Sequence, residues 1–246
     1  KICPKSIYLE MLKMEKLKPS KNFLGRIFCA ADLNAILVQR KFLGSFRAVS
    51  TLYDKTVGVG FNPWADFNKM AIELREKGHF FTGDYKRWDK TLPRVLFEMM
   101  GKMLDDLNPD NARFSLLFKD IYNSIHVSGR TVFIKERGMP SGTLLTANLN
   151  SKLNDLAVYV CFYQMAQRVG FDSSFKSFDE NVFRKFYGDD VILGVTHRAI
   201  KWFNMKTLRD ELGETFGFVL DSSEKDGTVF KEMAWHELSW CSRYFR

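Results

Sequence analysis

Cysteine is scarce and scattered. The chain holds four, Cys3, Cys29, Cys161 and Cys241, with no paired spacing. That distribution reads as neither a disulfide framework nor a zinc site, and suits free thiols in a reducing compartment. Histidine is as rare, and His126, His197 and His236 have no partner spacing, so they read as structural or surface residues. No apolar run is long enough to span a bilayer, and no signal peptide is visible. Internal repeats and low-complexity linkers are also missing. The chain starts at Lys1 without a methionine, and the expectation is a fragment of a longer polypeptide.

What is present is apolar, aromatic and basic. Hydrophobic residues make up 46% of the 246 and aromatics 15%, enough for one large domain or two small ones. The formal charge is +8. Such a balance suggests a polyanionic partner, nucleic acid or anionic membrane, without separating them. The basic residues concentrate early: Lys13, Lys16, Lys18, Lys21, Arg26, Arg40, Lys41 and Arg47 interleave with Phe23, Phe28, Phe42 and Phe46. Charge alone makes this a solvated basic face.

Periodicity gives a mixed helix and strand order. Residues 31–46 read as a helix that Asp32 could cap, and 64–77 as another stopped by Gly78. Residues 79–84 read as a short buried strand. Thr91 and Pro93 open a helix with Leu92, Leu96, Met99 and Met103 on one side, and 110–124 reads as the next. Two short strands flank Ser128-Gly129, a hairpin signal. A Gly138 to Thr143 loop leads into a helix over about 144–169. In it Thr146, Asn150 and Asn154 recur every fourth residue. A polar loop over 172–181, a helix over 197–214, a strand over 218–220 and a closing hairpin over 235–246 complete the order.

The most informative stretch is Phe186-Tyr187-Gly188-Asp189-Asp190-Val191-Ile192. Apolar runs lead in and out, and Gly188-Asp189 suits a two-residue hairpin turn. Adjacent carboxylates at a tight turn repel each other, and hard oxygen ligands favour Mg²⁺ or Mn²⁺. A lone Gly-Asp-Asp is more simply a surface turn. Here a second acidic strand end, Asp84, precedes Asp89 by five residues. The order strand, helix, hairpin, Gly-Pro-Ser-Gly-type loop, long helix and Asp-Asp hairpin is far more specific than either pair. If the two strands are neighbours, Asp84 and Asp189 converge on a cation pair suited to phosphoryl transfer.

These residues carry a resemblance. Phe81 to Asp89 looks like motif A of positive-strand viral RNA-dependent RNA polymerases. Gly138-Met139-Pro140-Ser141-Gly142-Thr143, with Thr146 and Asn150-Ser151, resembles motif B, and Tyr187-Gly188-Asp189-Asp190 resembles motif C. Lys225 falls where motif D keeps a lysine, Trp240 to Arg246 is similar to motif E, and the stretch around Lys13, Glu15 and Arg26 resembles motif F. The picornavirus-like group is the nearest pattern, over about residue 12 to the C-terminus. Leu24 stands where a second motif F lysine is common, which leaves Lys18 or Lys21 as stand-ins.

The resemblance implies an α+β fold: a right-hand polymerase palm with an antiparallel sheet, packed helices and an RRM-like core, part of the fingers, and no thumb. It implies partial fingers over 1–78, and a palm over 79–246 interleaved with a fingers segment at about 108–137. Asp84, Asp189 and Asp190 would be the metal ligands, Mg²⁺ being the cofactor with Mn²⁺ possible, and Lys225 a general acid. Arg26 would contact the triphosphate. Asp89, Ser141, Gly142, Thr146 and Asn150 would bind nucleotide and ribose. The implied partners are RNA template, primer or nascent strand, ribonucleoside triphosphates and other viral replication proteins. The implied location is host cytoplasm at membrane-associated replication complexes. Two other classes stay open: a reverse transcriptase, against which Asp89 speaks, since those enzymes usually place a bulky residue there, and a non-catalytic RNA-binding module, against which the retained acids speak.

Overall fold

The computed structural model describes residues 5–13, 26–111, 113–222 and 232–245. In chain order these form β1 (Ile7–Leu12), β2 (Ile27–Ala31), α1 (Leu33–Tyr53), α2 (Phe67–Arg75), β3 (His79–Tyr85), α3 (Trp88–Thr91), α4 (Arg94–Leu107), α5 (Phe114–Tyr122), β4 (Ser124–Ser128), β5 (Thr131–Lys135), α6 (Thr146–Val169), α7 (Phe175–Asn181), β6 (Val182–Tyr187), β7 (Asp190–Val195), α8 (Met205–Phe216), β8 (Leu220–Ser222), β9 (Ser239–Trp240) and β10 (Arg243–Tyr244). Two compact units result: Lys1–Phe46 with Asp89–Thr146, and Arg47–Trp88 with Ala147–Arg246.

The first unit is built on a four-stranded sheet in the order β2-β1-β4-β5. β1 pairs antiparallel with β2 and parallel with β4. Neither β1 nor β2 is expected from the sequence. Ile7, Leu9 and Met11 on the outward side of β1 are apolar yet exposed, so the period-two pattern that marks a half-buried strand is hidden. The β4–β5 hairpin is present, but Ser128 pairs with Thr131, so the turn is Gly129-Arg130 rather than Ser128-Gly129. Gly129 takes φ +58°, the left-handed value such turns require. Helices α4 and α5 pack through Phe97 and Tyr122, both buried. Asp32 caps α1 as expected, its Oδ1 accepting from the Ala35 N–H at 2.9 Å.

The second unit is an antiparallel sheet in the order β6-β7-β3-β8. Met70 and Leu74 of α2 bury with Ile192 of β7 and with Leu238, Trp240 and Phe245 of the last hairpin. Helix α6 is buried almost all round, including Asn148, Asn150, Ser151, Asn154 and Asp155. Two expectations are corrected here. The polar run 172–181 holds α7, which Ser174 caps by accepting from the Ser177 N–H, with Phe178 fully buried. The helix expected over 197–214 starts only at Met205, because Asn204 and Thr207 form a reciprocal capping box there.

Candidate active site

In the second unit, β3 and β7 are neighbours, and their register runs to Gly83 opposite Val191. One step further along each strand stand Asp84 and Asp190. On the other side of β3, Asp84 is paired directly with Asp221 of β8. Three carboxylates therefore end adjacent strands on one face. Like charges directly opposite in a sheet repel. The Lys86 ammonium offsets part of this, 3.3 Å from Asp221. Asp221 is the acid that sequence reasoning passed over as a site residue. The available signal was its place one residue after Leu220 in a strand parallel in role to the other two.

The turn that carries Asp189 is tightly held. Tyr187 pairs with Asp190, leaving Gly188-Asp189 as the two-residue turn, with Gly188 at φ +64°. A side chain at Gly188 would be strained there. Beneath the turn, α6 holds the Gly188 peptide from both sides. The Gly188 N–H donates to Ser151 Oγ at 2.9 Å, and the Asn154 amide donates to the Gly188 carbonyl at 3.2 Å. Tyr85 at the end of β3 donates its hydroxyl to Asn154 Oδ1 at 2.9 Å. Burial pushes that phenol well above its ordinary value, so it stays a donor. Asn150 lies one turn earlier on the same helix and is buried. Asp189 is exposed, and Asp84 and Asp190 are half-buried.

Asp84 and Asp190 line a cavity of about 360 Å³ together with Trp240 of β9 and Cys241 and Ser242 of the turn that follows it. Cys241 and Ser242 both have positive φ, 50° and 61°. The Cys241 thiol lies 3.8 Å from Asp190 Oδ2. Burial, and then the Asp190 charge, push it up to about 12. It is a neutral donor to the carboxylate, not a thiolate.

In the first unit the Gly138 to Thr143 loop is fixed by its own neighbours. The Cys29 N–H donates to Ser141 Oγ at 2.8 Å, which leaves the Ser141 hydroxyl hydrogen for another acceptor. A Cβ on Gly142 would collide with the Cys29 carbonyl oxygen, so only glycine fits. Thr146 directs its hydroxyl at the loop's own carbonyls, nearest Thr143 at 2.7 Å. Asp89 is exposed, and its carbonyl accepts from the Met139 N–H at 2.7 Å. Arg26 is exposed at the start of β2, its carbonyl accepting from the Lys13 N–H at 2.7 Å. Lys225, Lys18, Lys21 and Leu24 lie outside the described residues.

A family model for viral RNA-dependent RNA polymerase matches residues 1–246. The chain belongs to that family. It is 40% identical over 240 residues to Polyprotein-FSD of Solenopsis invicta virus 3, covering 96% of this chain and 7% of the polyprotein. It is 26% identical over 259 residues to the replicase polyprotein of cricket paralysis virus, covering 97% of this chain and 15% of that protein. The fold matches a solved Sicinivirus 3Dpol RNA-dependent RNA polymerase with a TM-score of 0.83 at 21% identity, over 98% of this chain and 50% of the other. The chain thus spans a small part of the polyproteins and half of the solved polymerase. Among the described residues, no helix is long and apolar enough to cross a membrane.

The acidic strand ends fit a divalent cation. All are hard oxygen donors, and a cation offsets the direct opposition of Asp84 and Asp221.

Proposed function

We propose that this chain supplies the catalytic palm, with part of the fingers, for RNA-templated RNA synthesis. In this reading it transfers nucleotidyl groups from ribonucleoside triphosphates to an RNA 3′ end and depends on Mg²⁺. The observation that carries it is the pairing of β3 with β7, which sets Asp84 beside Asp190 with Asp189 on a turn clamped by α6.

Asp84, Asp189 and Asp190 would hold the ions. When bound, such ions lower the pKa of the attacking hydroxyl and neutralise charge on the leaving pyrophosphate. The chain's own residues do the remaining work. Ser151, Asn154 and Tyr85 fix the Gly188 peptide, so Asp189 needs no reordering during reaction. Cys241 keeps a neutral S–H toward Asp190. Asn150 reads the ribose 2′-hydroxyl, which is both donor and acceptor, and Asp89 binds the nucleotide. Ser141 offers its hydroxyl hydrogen to the nucleotide. Gly142 and Thr146 act through the shape of the loop. The Arg26 guanidinium pairs with the triphosphate. Lys225 donates a proton to the departing pyrophosphate. RNA template and nascent strand follow as partners, with other viral replication proteins, in host cytoplasm at membrane-associated replication complexes.

The test is Asp189→Ala in the full-length enzyme. Single-nucleotide incorporation should fall by at least about 10³-fold. RNA affinity, which comes mainly from phosphate contacts with basic residues, should change little. Near wild-type incorporation in Mg²⁺ would remove Asp189 from the metal site.

A further inference from the structure

On the sheet of the first unit, three potential metal ligands meet on one face of three adjacent strands. Glu10 of β1 stands directly opposite Cys29 of β2. His126 of β4 stands opposite Tyr8, two residues from Glu10 and so on the same side. One donor atom from each of Glu10, Cys29 and His126 lies within 4.8 Å of the others. Glu10 Oε1 is 3.0 Å from His126 Nδ1 and 4.0 Å from Cys29 Sγ. A tetrahedral zinc site with bonds of about 2.0–2.3 Å places its donors roughly 3.3–3.8 Å apart. The observed separations bracket that range. The group is also largely buried: His126 is 0% exposed and Cys29 7%, with Glu10 half-buried.

The hydrogen bonds around His126 say which nitrogen is open. Ser124 donates its hydroxyl to the Ile121 carbonyl at 3.0 Å. Its oxygen is therefore an acceptor for His126 Nε2–H at 3.1 Å. A neutral ring then presents a bare Nδ1 to the Glu10 carboxylate, two acceptors face to face. Something positive belongs between them. The ring is also pre-oriented. It stacks on Tyr8 at 5.3 Å and on Phe133 at 5.6 Å.

We propose that Glu10, Cys29 and His126 form a structural site for a zinc-class ion. An imidazole and a thiolate, softer donors than oxygen, together with one carboxylate suit Zn²⁺, unlike the all-oxygen set at Asp84, Asp189 and Asp190. The thiolate and carboxylate balance the charge of the ion, and the Cys29 thiol proton leaves to solvent on binding. Lys135, now 3.3 Å from Glu10 Oε1 and 30% exposed, turns outward, and water takes the fourth position. Ser124 is the partner that fixes the ring, as outer hydrogen bonds do at other histidine-metal sites. The ion ties β1, β2 and β4 together. It also steadies Cys29, whose backbone N–H holds Ser141.

The test uses the full-length enzyme, purified without chelator, with metal content measured per chain. The expected result is zinc near one per chain, and on replacement by Co²⁺ a thiolate-to-cobalt charge-transfer absorption with four-coordinate d–d bands. Cys29→Ser should lose the charge-transfer band and His126→Gln should lose the metal. Asp189→Ala should keep both, which separates this site from the acidic strand ends. Should a variant fail to fold by circular dichroism, the wild-type cobalt titration decides alone. A wild-type protein with no zinc and no charge-transfer band, or a band that persists in folded Cys29→Ser, overturns the site.

Discussion

At the residue scale, α6 buries a row of amide and hydroxyl side chains, Asn150, Ser151 and Asn154. Asn150 is buried on α6, one turn before Asn154. If it reads the 2′-hydroxyl, Asn150→Ala should lower the preference for ribo- over deoxyribonucleotides by about 10–100-fold, the worth of one strong polar contact. Competing single-nucleotide incorporations measure this, and an unchanged ratio places Asn150 outside the ribose site. Ser151 and Asn154 have a different task. They hold the Gly188 backbone of the turn. Ser151→Ala leaves the Gly188 N–H without its acceptor, which should cost about 1–3 kcal/mol of stability. It should also lower turnover more than it raises the nucleotide Michaelis constant. A stability loss with unchanged turnover would make the clamp purely structural. Asp84, Asp189, Asp190 and the loop were legible from residue type and order. Ser151 stood in the sequence only beside Asn150, and the role of Asn154 was open. Hydrogen-bonding polar residues in a buried helix look like a solvated stripe until the helix is seen to be covered.

At the scale of elements, α6 is anchored by a run of charges. Lys152 lies 2.8 Å from Asp54 and 3.0 Å from Asp155, and Arg184 of β6 lies 2.6 Å from Asp155 and from Asp179. Burial alone would push Lys152 down, yet Asp155 and Asp54 outweigh it and raise it above 10.5. Asp54 shows the complementary shift: burial opposes ionisation, but Lys152 and Thr56 bring it below 3.8. Both shifts favour the charged pair in the folded chain. The Asp54 contribution is full above its ordinary 3.8 and is lost as pH falls through its lower folded value. The Lys152 contribution is full below 10.5 and is lost as pH rises through its higher folded value. Lys152→Met takes the cation from Asp54, while Asp155 keeps Arg184, and should destabilise by about 1–3 kcal/mol at neutral pH. Denaturant unfolding across pH checks this, and the difference from wild type should shrink below pH 3.8 as Asp54 protonates. A constant difference there would mean lost packing, not lost charge. The elements least legible in sequence have related causes. Ala199, Ile200, Trp202 and Phe203 extend the apolar pattern of α8 backwards, but Asn204 sets the true start. The α7 aromatics sit in a run polar enough to pass for a loop.

At the scale of the whole molecule, the order of motifs fixed more than any single element. The strand ending in Asp84, the Ser141 loop, the long α6 and the Asp189 hairpin occur in the order a viral RNA polymerase requires, and the family match covers all 246 residues. Local periodicity could not reveal that β3 and β7 are neighbours or that β8 adds Asp221, because pairing between strands over a hundred residues apart leaves no short-range pattern. The formal charge of +8 suits a polyanionic template but does not choose among nucleic acids. That choice is the central claim, and one assay addresses it. The full-length enzyme is given matched RNA and DNA templates with either ribo- or deoxyribonucleoside triphosphates in Mg²⁺. The account predicts template-directed extension with ribonucleotides on RNA, abolished by Asp189→Ala. Preferred use of deoxyribonucleotides would contradict it in favour of a reverse transcriptase, and RNA binding with no incorporation by the wild-type enzyme would contradict it in favour of a binding module.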